Sequence, residues 1–228
     1  AIFPHITSCN IACGMHAGDP YHIEKTIDQA LEHGVQIGAH PGYPDLQGFG
    51  RRVLPMKSDE LSSYIKYQIA ALKGLVGSKG GTLNYVKPHG ALYNEIAKNK
   101  AEAETVITAI KSMGTDLKVM GLAGSLVKEV TESNGLTFIA EAFADRQYEA
   151  NGQLRSRNLR QSVFSDKESA AEQVINIATN GKTKALDGTE VLVSAQSFCI
   201  HGDNPIAVDI LMEISNRLEL LGISKRSF

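Results

Sequence analysis

The sequence predicts an α/β fold built on a parallel sheet, and three observations carry that expectation. Apolar runs of strand length alternate six times with segments whose apolar residues recur at helical spacing. Residues that start and stop helices stand where the periodicity changes. The chain has 228 residues, 43% hydrophobic and 21% charged, with no linker or shift in composition, which suits one domain spanning 1–228 with an ample core.

The first strand is expected over 6–13. The helix after it opens with Asp19 as cap and Pro20 at the first helical position, carries Ile23, Ile27, Ala30 and Leu31 on one face, and stops at Gly34. A second strand follows over 35–39, then a helix over 58–76 with Leu61, Ile65, Ile69, Leu72 and Val76 in register. The third strand is 83–87. Val106, Ile107, Ile110 and Met113 mark a helix closed by Gly114. Strands at 117–121 and 137–141 come next. Ser165-Asp166-Lys167-Glu168 reads as a capping box before a helix burying Ala171, Val174, Ile175 and Ala178. A strand over 191–200 and a helix beginning at Asn204-Pro205 complete the pattern. An open doubly wound sheet and a closed barrel both fit; six units fall short of the eight-unit barrel, which takes about 250 residues.

Composition excludes several function classes. Lys plus Arg number 23 against 25 for Asp plus Glu, so the net charge is −2 and neither nucleic acid nor an anionic membrane is the expected partner. No apolar run reaches the length of about 18 residues that a membrane span requires. Three cysteines, an odd count, point to a reducing compartment, and the opening Ala1-Ile2-Phe3-Pro4-His5 lacks the features of a signal peptide, so a cytoplasmic protein is expected.

Four of the seven histidines share one context. His16, His40, His89 and His201 each close an apolar run and are followed within two residues by Gly. In parallel α/β folds the C-terminal strand ends form a ligand-binding rim, so the four are expected to converge. Lys87 precedes His89 by two residues and suits an oxyanion or a base role. Asp19 and Asp203 follow a His and precede a helix, where an N-cap is the plain alternative. Two long polar connections, 41–57 and 142–165, hold six of the eight arginines: Arg51, Arg52, Arg146, Arg155, Arg157 and Arg160. Guanidinium forks suit carboxylates and phosphates, so an anionic ligand fits, as does a merely solvated basic loop. Asp45 and Asp145 lie in the same connections.

Imidazoles with a carboxylate can bind zinc or iron, but no His-Glu-x-x-His or Cys-x-x-Cys occurs, and whether a metal binds is left open. Cys9, Cys13 and Cys199 read as core residues. Gly121-Leu122-Ala123-Gly124-Ser125 has the wrong spacing for a nucleophile elbow. Gly181-Lys182-Thr183 lacks the upstream glycine of a phosphate loop, because Asn176 stands there.

At these residues the chain resembles the LamB/YcsF family. The matching stretches are Ser8-Cys9-Asn10-Ile11-Ala12-Cys13-Gly14-Met15-His16-Ala17-Gly18-Asp19-Pro20, Gly38-Ala39-His40-Pro41-Gly42-Tyr43-Pro44-Asp45-Leu46-Gln47-Gly48-Phe49-Gly50-Arg51-Arg52, Val86-Lys87-Pro88-His89-Gly90-Ala91-Leu92-Tyr93-Asn94, Phe143-Ala144-Asp145-Arg146-Gln147-Tyr148 and Cys199-Ile200-His201-Gly202-Asp203. Met15 replaces the usual Phe. The family pattern also places a carboxylate-bearing strand ahead of the first one read here. The resemblance implies an irregular (β/α) barrel of about seven strands, of the glycoside hydrolase/deacetylase type, with that first strand missing from this chain. It further implies ATP-dependent opening of 5-oxoproline to L-glutamate in a complex with B and C subunits, ATP being a co-substrate. The expected catalytic set is His40, Lys87, His89, His201 and Asp203. The expected substrate-binding set is Asn10, His16, Asp45, Arg51, Arg52, Asp145 and Arg146. Two other activities fit the same residues: a stand-alone metal-dependent amidase or deacetylase, and a non-catalytic subunit that binds a metabolite or carbohydrate.

Overall fold

The computed structural model describes residues 2–228, which divide into two compact units, one spanning 7–139 and the other 140–226 together with the residues up to Ile6. The first unit holds β1 (Ser8–Ala12), α1 (Pro20–Glu32), β2 (Gln36–His40), α2 (Ser58–Ser78), β3 (Leu83–Val86), α3 (Gly90–Ile96), α4 (Lys100–Met113), β4 (Lys118–Leu122) and α5 (Val127–Ser133). Its strands pair in the parallel sense in the order β1-β2-β3-β4. β5 (Phe138–Phe143) starts in this unit, and Thr137 just before it accepts a hydrogen bond from the Val119 amide of β4.

The α/β class and the parallel pairing agree with the sequence pattern. Asp19 caps α1 by accepting from the His22 amide, with Pro20 in the first turn as expected. α2 packs along α4. Ile65, Ile69, Leu72 and Val76 on α2 are fully buried, as are Val106, Ile107 and Ile110 on α4, each contributing about 1.5–3 kcal/mol by leaving water.

One irregularity sets the register. Asn84 is an extra residue in β3 between the partners of Ile37 and Gly38, and its side-chain oxygen accepts from the Ile37 amide at 2.9 Å. The shift lays the Tyr85 ring across Gly38, where an added Cβ would stand 2.2 Å from ring carbons. The Tyr85 hydroxyl lies 2.9 Å from both Cys9 O and Asn10 Oδ1, so it ties β1 to β3 over the intervening β2.

The second unit contains the rest of β5, then α6 (Lys167–Asn180), β6 (Lys182–Lys184), β7 (Glu190–Leu192), β8 (Ser197–Cys199) and α7 (Ala207–Leu220). β8 pairs parallel to β5, with Phe143 opposite Cys199, and β6 pairs antiparallel with β7. α6 meets α7 through Ala170, Ala171 and Val174 against Ile210, Ile214 and Leu218; the small alanines bring the two helices close.

Several elements differ from the sequence reading. Residues 191–200 are not one strand: the run breaks after Leu192, and its halves pair with β6 and β5 separately. α3, α5 and β6 were not expected. The α6 cap is Asp166, which accepts from the Ser169 amide at 2.7 Å, so no Ser165–Glu168 capping box forms. α7 starts at Ala207, after Asn204 accepts from the Ile206 amide.

Candidate active site

In the 7–139 unit, three of the four strand-end histidines come together. β2 and β3 keep pairing beyond their ends, because the Lys87 amide donates to Ala39 O and the His89 amide to Pro41 O. That continuation brings His40 and His89 side by side, with His89 Nδ1 3.0 Å from His40 Nε2. His16, from the turn after β1, stacks flat on His89 at 3.8 Å between ring centroids and 4° between planes.

The connection after β2 closes over these rings. Gln68, fully buried on α2, clamps Gly42 from both sides: the Gly42 amide donates to its oxygen and its amide group donates to Gly42 O. Asp45 accepts from the Gly48 amide and from both Nε and Nη2 of Arg52, and the Arg52 hydrogen bonds, with help from the Gly48 amide and the Arg52 charge, hold its carboxyl below the usual carboxylate range. Gly50 adopts φ +64°, and a Cβ there would stand 2.8 Å from His89 and 2.9 Å from His16. Only glycine lets the backbone come down on the imidazoles so closely. Phe49 just before it sits at φ +54°, costly for a residue with a side chain, and the Phe49 carbonyl meets His89 Nε2 at 2.7 Å. The same loop borders a cleft of about 440 Å³ lined by Met15, Pro44, Leu46 and Leu54 beside the Asp45–Arg52 pair, a size suited to a small ligand.

Electrostatically this cluster disfavours extra positive charge. Burial, aided by His89, pushes His16 down to about 3, and its Nδ1 is buried without a hydrogen-bond partner. Burial and then the charges of His89, Lys87 and His16 hold His40 well below the ordinary imidazole value. Lys87 is 4% exposed, and its ammonium lies 5.6 Å over the Tyr93 ring. Arg51 lies over the Phe49 ring and is exposed, and Asn10 is exposed on β1.

His201 belongs to the 140–226 unit, where its partner is Asp145. The carboxylate accepts from the His201 backbone amide at 3.2 Å and from Nδ1 at 2.9 Å. Burial pushes Asp145 up, but the hydrogen bonds and charge of His201 outweigh it, so the carboxyl lies below its ordinary value. A carboxylate on Nδ1 fixes the tautomer that leaves Nε2 as the acceptor, the arrangement a general base needs. Asp203, the other candidate partner, is exposed in the turn that follows.

Arg146 is buried and organises its own loop: Nε donates to Ser162 O at 3.1 Å and Nη2 to Arg155 O. Gln173, buried on α6, donates to Phe143 O and Arg146 O and accepts from the Thr183 hydroxyl. Neither Gln68 nor Gln173 stood out in the sequence, yet each lies on the apolar face of its helix, and a glutamine in such a position signals a buried clamp. The Tyr43–Glu102 hydrogen bond, from the β2 loop to α4, joins residues 59 apart in sequence and carries no local signal. Among the described residues, no group of three or more His, Cys, Asp or Glu side chains converges to hold a metal ion. Gly181-Lys182-Thr183 lies where α6 ends and β6 begins, not between a strand and a following helix as a phosphate loop does. Among the described residues, no helix is long and apolar enough to cross a membrane.

The LamB/YcsF family model matches residues 1–228. This chain belongs to the LamB/YcsF family. Among its relatives, the 5-oxoprolinase A subunit of Acinetobacter baylyi is 48% identical over 227 residues, covering 100% of this chain and 89% of that protein. The protein of the same name from Bacillus cytotoxicus is 44% identical, covering 98% and 88% respectively. The crystal structure of the lactam utilization protein from Thermus thermophilus superposes with a TM-score of 0.93 at 39% identity, covering 100% of this chain and 91% of that one. The family fold expected from the sequence is therefore present throughout the chain.

Proposed function

We propose that this LamB/YcsF chain is the A subunit of an ATP-dependent 5-oxoprolinase, which opens the lactam of 5-oxoproline to L-glutamate together with B and C subunits. The observation that carries a hydrolytic role is the Asp145–His201 pair, an imidazole whose Nδ1 is committed to a buried carboxylate. The names of the relatives point to the lactam as substrate.

A lactam carbonyl is a poor electrophile. Transfer of the γ-phosphoryl group of ATP to its oxygen makes the ring carbon attackable, and the partner subunits hold the nucleotide. Water then bonds to that carbon while His201 Nε2 takes its proton, the role an Asp-oriented imidazole suits. The ring C–N bond breaks as the nitrogen gains a proton, which leaves γ-glutamyl phosphate; a second water then cleaves this acyl phosphate, releasing inorganic phosphate and L-glutamate, while ADP is the other product. Considered by itself, the 7–139 unit offers Lys87, Arg51 and Arg52, side chains suited to anionic groups, and the cleft beside Asp45.

The test combines this chain with B and C subunits, ATP and 5-oxoproline and follows glutamate. Glutamate should form only when this chain is present, and His201→Ala should abolish it while the fold remains. Glutamate formed without this chain, or normal turnover by both His201→Ala and Lys87→Ala, overturns the proposal. Ligand binding without turnover in the full mixture identifies a binding subunit instead.

A further inference from the structure

Asp45 holds Arg52 by one side only. The carboxylate, 4% exposed with its residue, accepts from Arg52 Nε at 3.0 Å and from Nη2. The turn closes tightly on this grip: the Gly48 amide donates to Asp45 Oδ1 at 2.9 Å, and a Cβ at Gly48 would overlap both Asp45 Oδ2 and Arg52 Nε. A guanidinium has further hydrogens on Nη1 and on the far side of Nη2. Among the described residues Asp45 is the one partner of Arg52, whose side chain is 59% exposed. The edge left over is the fork that meets a carboxylate through two parallel hydrogen bonds.

We propose that the cleft beside this pair is the subsite for a small monocarboxylic acid, whose carboxylate is held by the outer edge of Arg52, while Asp45 orients the arginine without touching the ligand. The inference rests on the function proposed above only in taking 5-oxoproline as the acid. It separates two residues that the family resemblance groups together as substrate-binding.

The lining of the cleft sets the ligand class. Among the described residues that line it, Arg52 is the one cation, and Asp45 already offsets part of its charge. Arg51 is turned to the Phe49 ring, 5.1 Å from its centroid. A single negative charge is balanced there, whereas the double charge of a phosphate ester would be left in excess. Met15, Pro44, Leu46 and Leu54 form apolar walls that suit the carbon body of the acid. The volume of about 440 Å³ lies toward the lower end of small-molecule sites, which favours a compact ring over a nucleotide or a peptide. 5-Oxoproline has this form: one carboxylate, a five-membered ring, and a lactam N–H and C=O that the amide of Gln47, also in the lining, can complement.

The subsite is assembled before the acid arrives. Within the turn the Gly50 amide donates to Asp45 O at 2.9 Å and the Arg51 amide to Gly48 O at 3.0 Å. With Nε and Nη2 already held, the arginine has little freedom left to lose on binding. A lysine at this position would keep the charge but could not give one edge to Asp45 and a second to the ligand.

The experiment is a methyl NMR titration of the full chain without partners or ATP, using labelled Met and Leu. The probes are 5-oxoproline, 2-pyrrolidinone (the same ring without the carboxylate) and inorganic phosphate. 5-Oxoproline should shift the Met15, Leu46 and Leu54 methyls saturably, 2-pyrrolidinone should bind at least about tenfold more weakly, and phosphate should leave those methyls unmoved. Arg52→Gln should abolish the response and Arg52→Lys should weaken it about tenfold, with the buried Leu72 and Leu83 methyls reporting that the fold is kept. Gly48→Ala, which crowds the grip and leaves both charges in place, should weaken it as well. Equal binding of 5-oxoproline and 2-pyrrolidinone, an undiminished response in Arg52→Gln, or silent methyls in the unaltered protein overturn the proposal. So does a response that needs the B and C subunits, which would assign Arg52 to an acidic side chain of a partner. Glutamate formation in the reconstituted complex is read separately: silent methyls with normal glutamate sink this subsite and leave the proposed function standing, and responding methyls without glutamate do the reverse.

Discussion

Asp145 holds His201 at two points, the backbone amide and ring Nδ1, so the carboxylate fixes both the position of the residue and the orientation of its ring. Asp145→Asn keeps the shape but can offer its NH₂ to Nδ1, turning the imidazole to the tautomer whose Nε2 carries the hydrogen. Turnover of 5-oxoproline in the reconstituted complex should fall by about 10²–10⁴ in kcat, with KM little changed and the melting temperature within a few degrees. An unchanged kcat would show that His201 is not the base.

His16 makes the fold acid-sensitive. Its folded-state value of about 3 lies below the value of about 6.5 in an unfolded chain, so the unfolded chain binds the proton first. The contribution of His16 is complete above about 6.5 and declines as the pH falls toward 3, by about 1.4 kcal/mol per pH unit. Urea midpoints measured from pH 7 to 4 should show this slope, and His16→Phe should reduce it.

Gln173 serves three buried groups at once, and Gln173→Leu leaves Phe143 O, Arg146 O and the Thr183 hydroxyl without it. Each orphaned group costs about 1–3 kcal/mol, so calorimetry should show a melting temperature lower by many degrees. Gln68→Leu should do the same in the other unit by releasing Gly42.

Burial raises both Cys9 and Cys13 to about 12, which leaves almost no thiolate at pH 8. Iodoacetamide should leave both unmodified in the native protein and alkylate both in denaturant, as read by mass spectrometry. Rapid native labelling of either would contradict that burial.

What could be read from the sequence divides along the range of the interaction. β2 ends on His40 with Gly42 close behind, and α1 announces itself through Asp19, Pro20 and a regular apolar face, because those signals are local. α3 and α5 are seven residues each, too short to show a period. The run 191–200 is apolar enough to read as one strand, and only the choice of partner reveals two. For the site, the grouping of His16, His40 and His89 follows from strand ends in a parallel sheet, whereas the choice between Asp145 and Asp203 for His201 does not. Asp145 lies 56 residues away and reaches His201 only because β5 and β8 pair in one particular register. The arginines illustrate the same limit: counted as charges, Arg146 and Arg52 are alike, yet one is buried among carbonyls and the other is exposed while pairing with the buried Asp45 carboxylate.

The Arg146 guanidinium, together with the antiparallel bridges Arg146–Val163 and Tyr148–Leu154, gives residues 145–163 a scaffold of their own. The order of this segment is therefore supplied from within, by one buried cation and two short bridges, and substituting Arg146 would remove a brace from the loop while leaving the helices and strands around it in place.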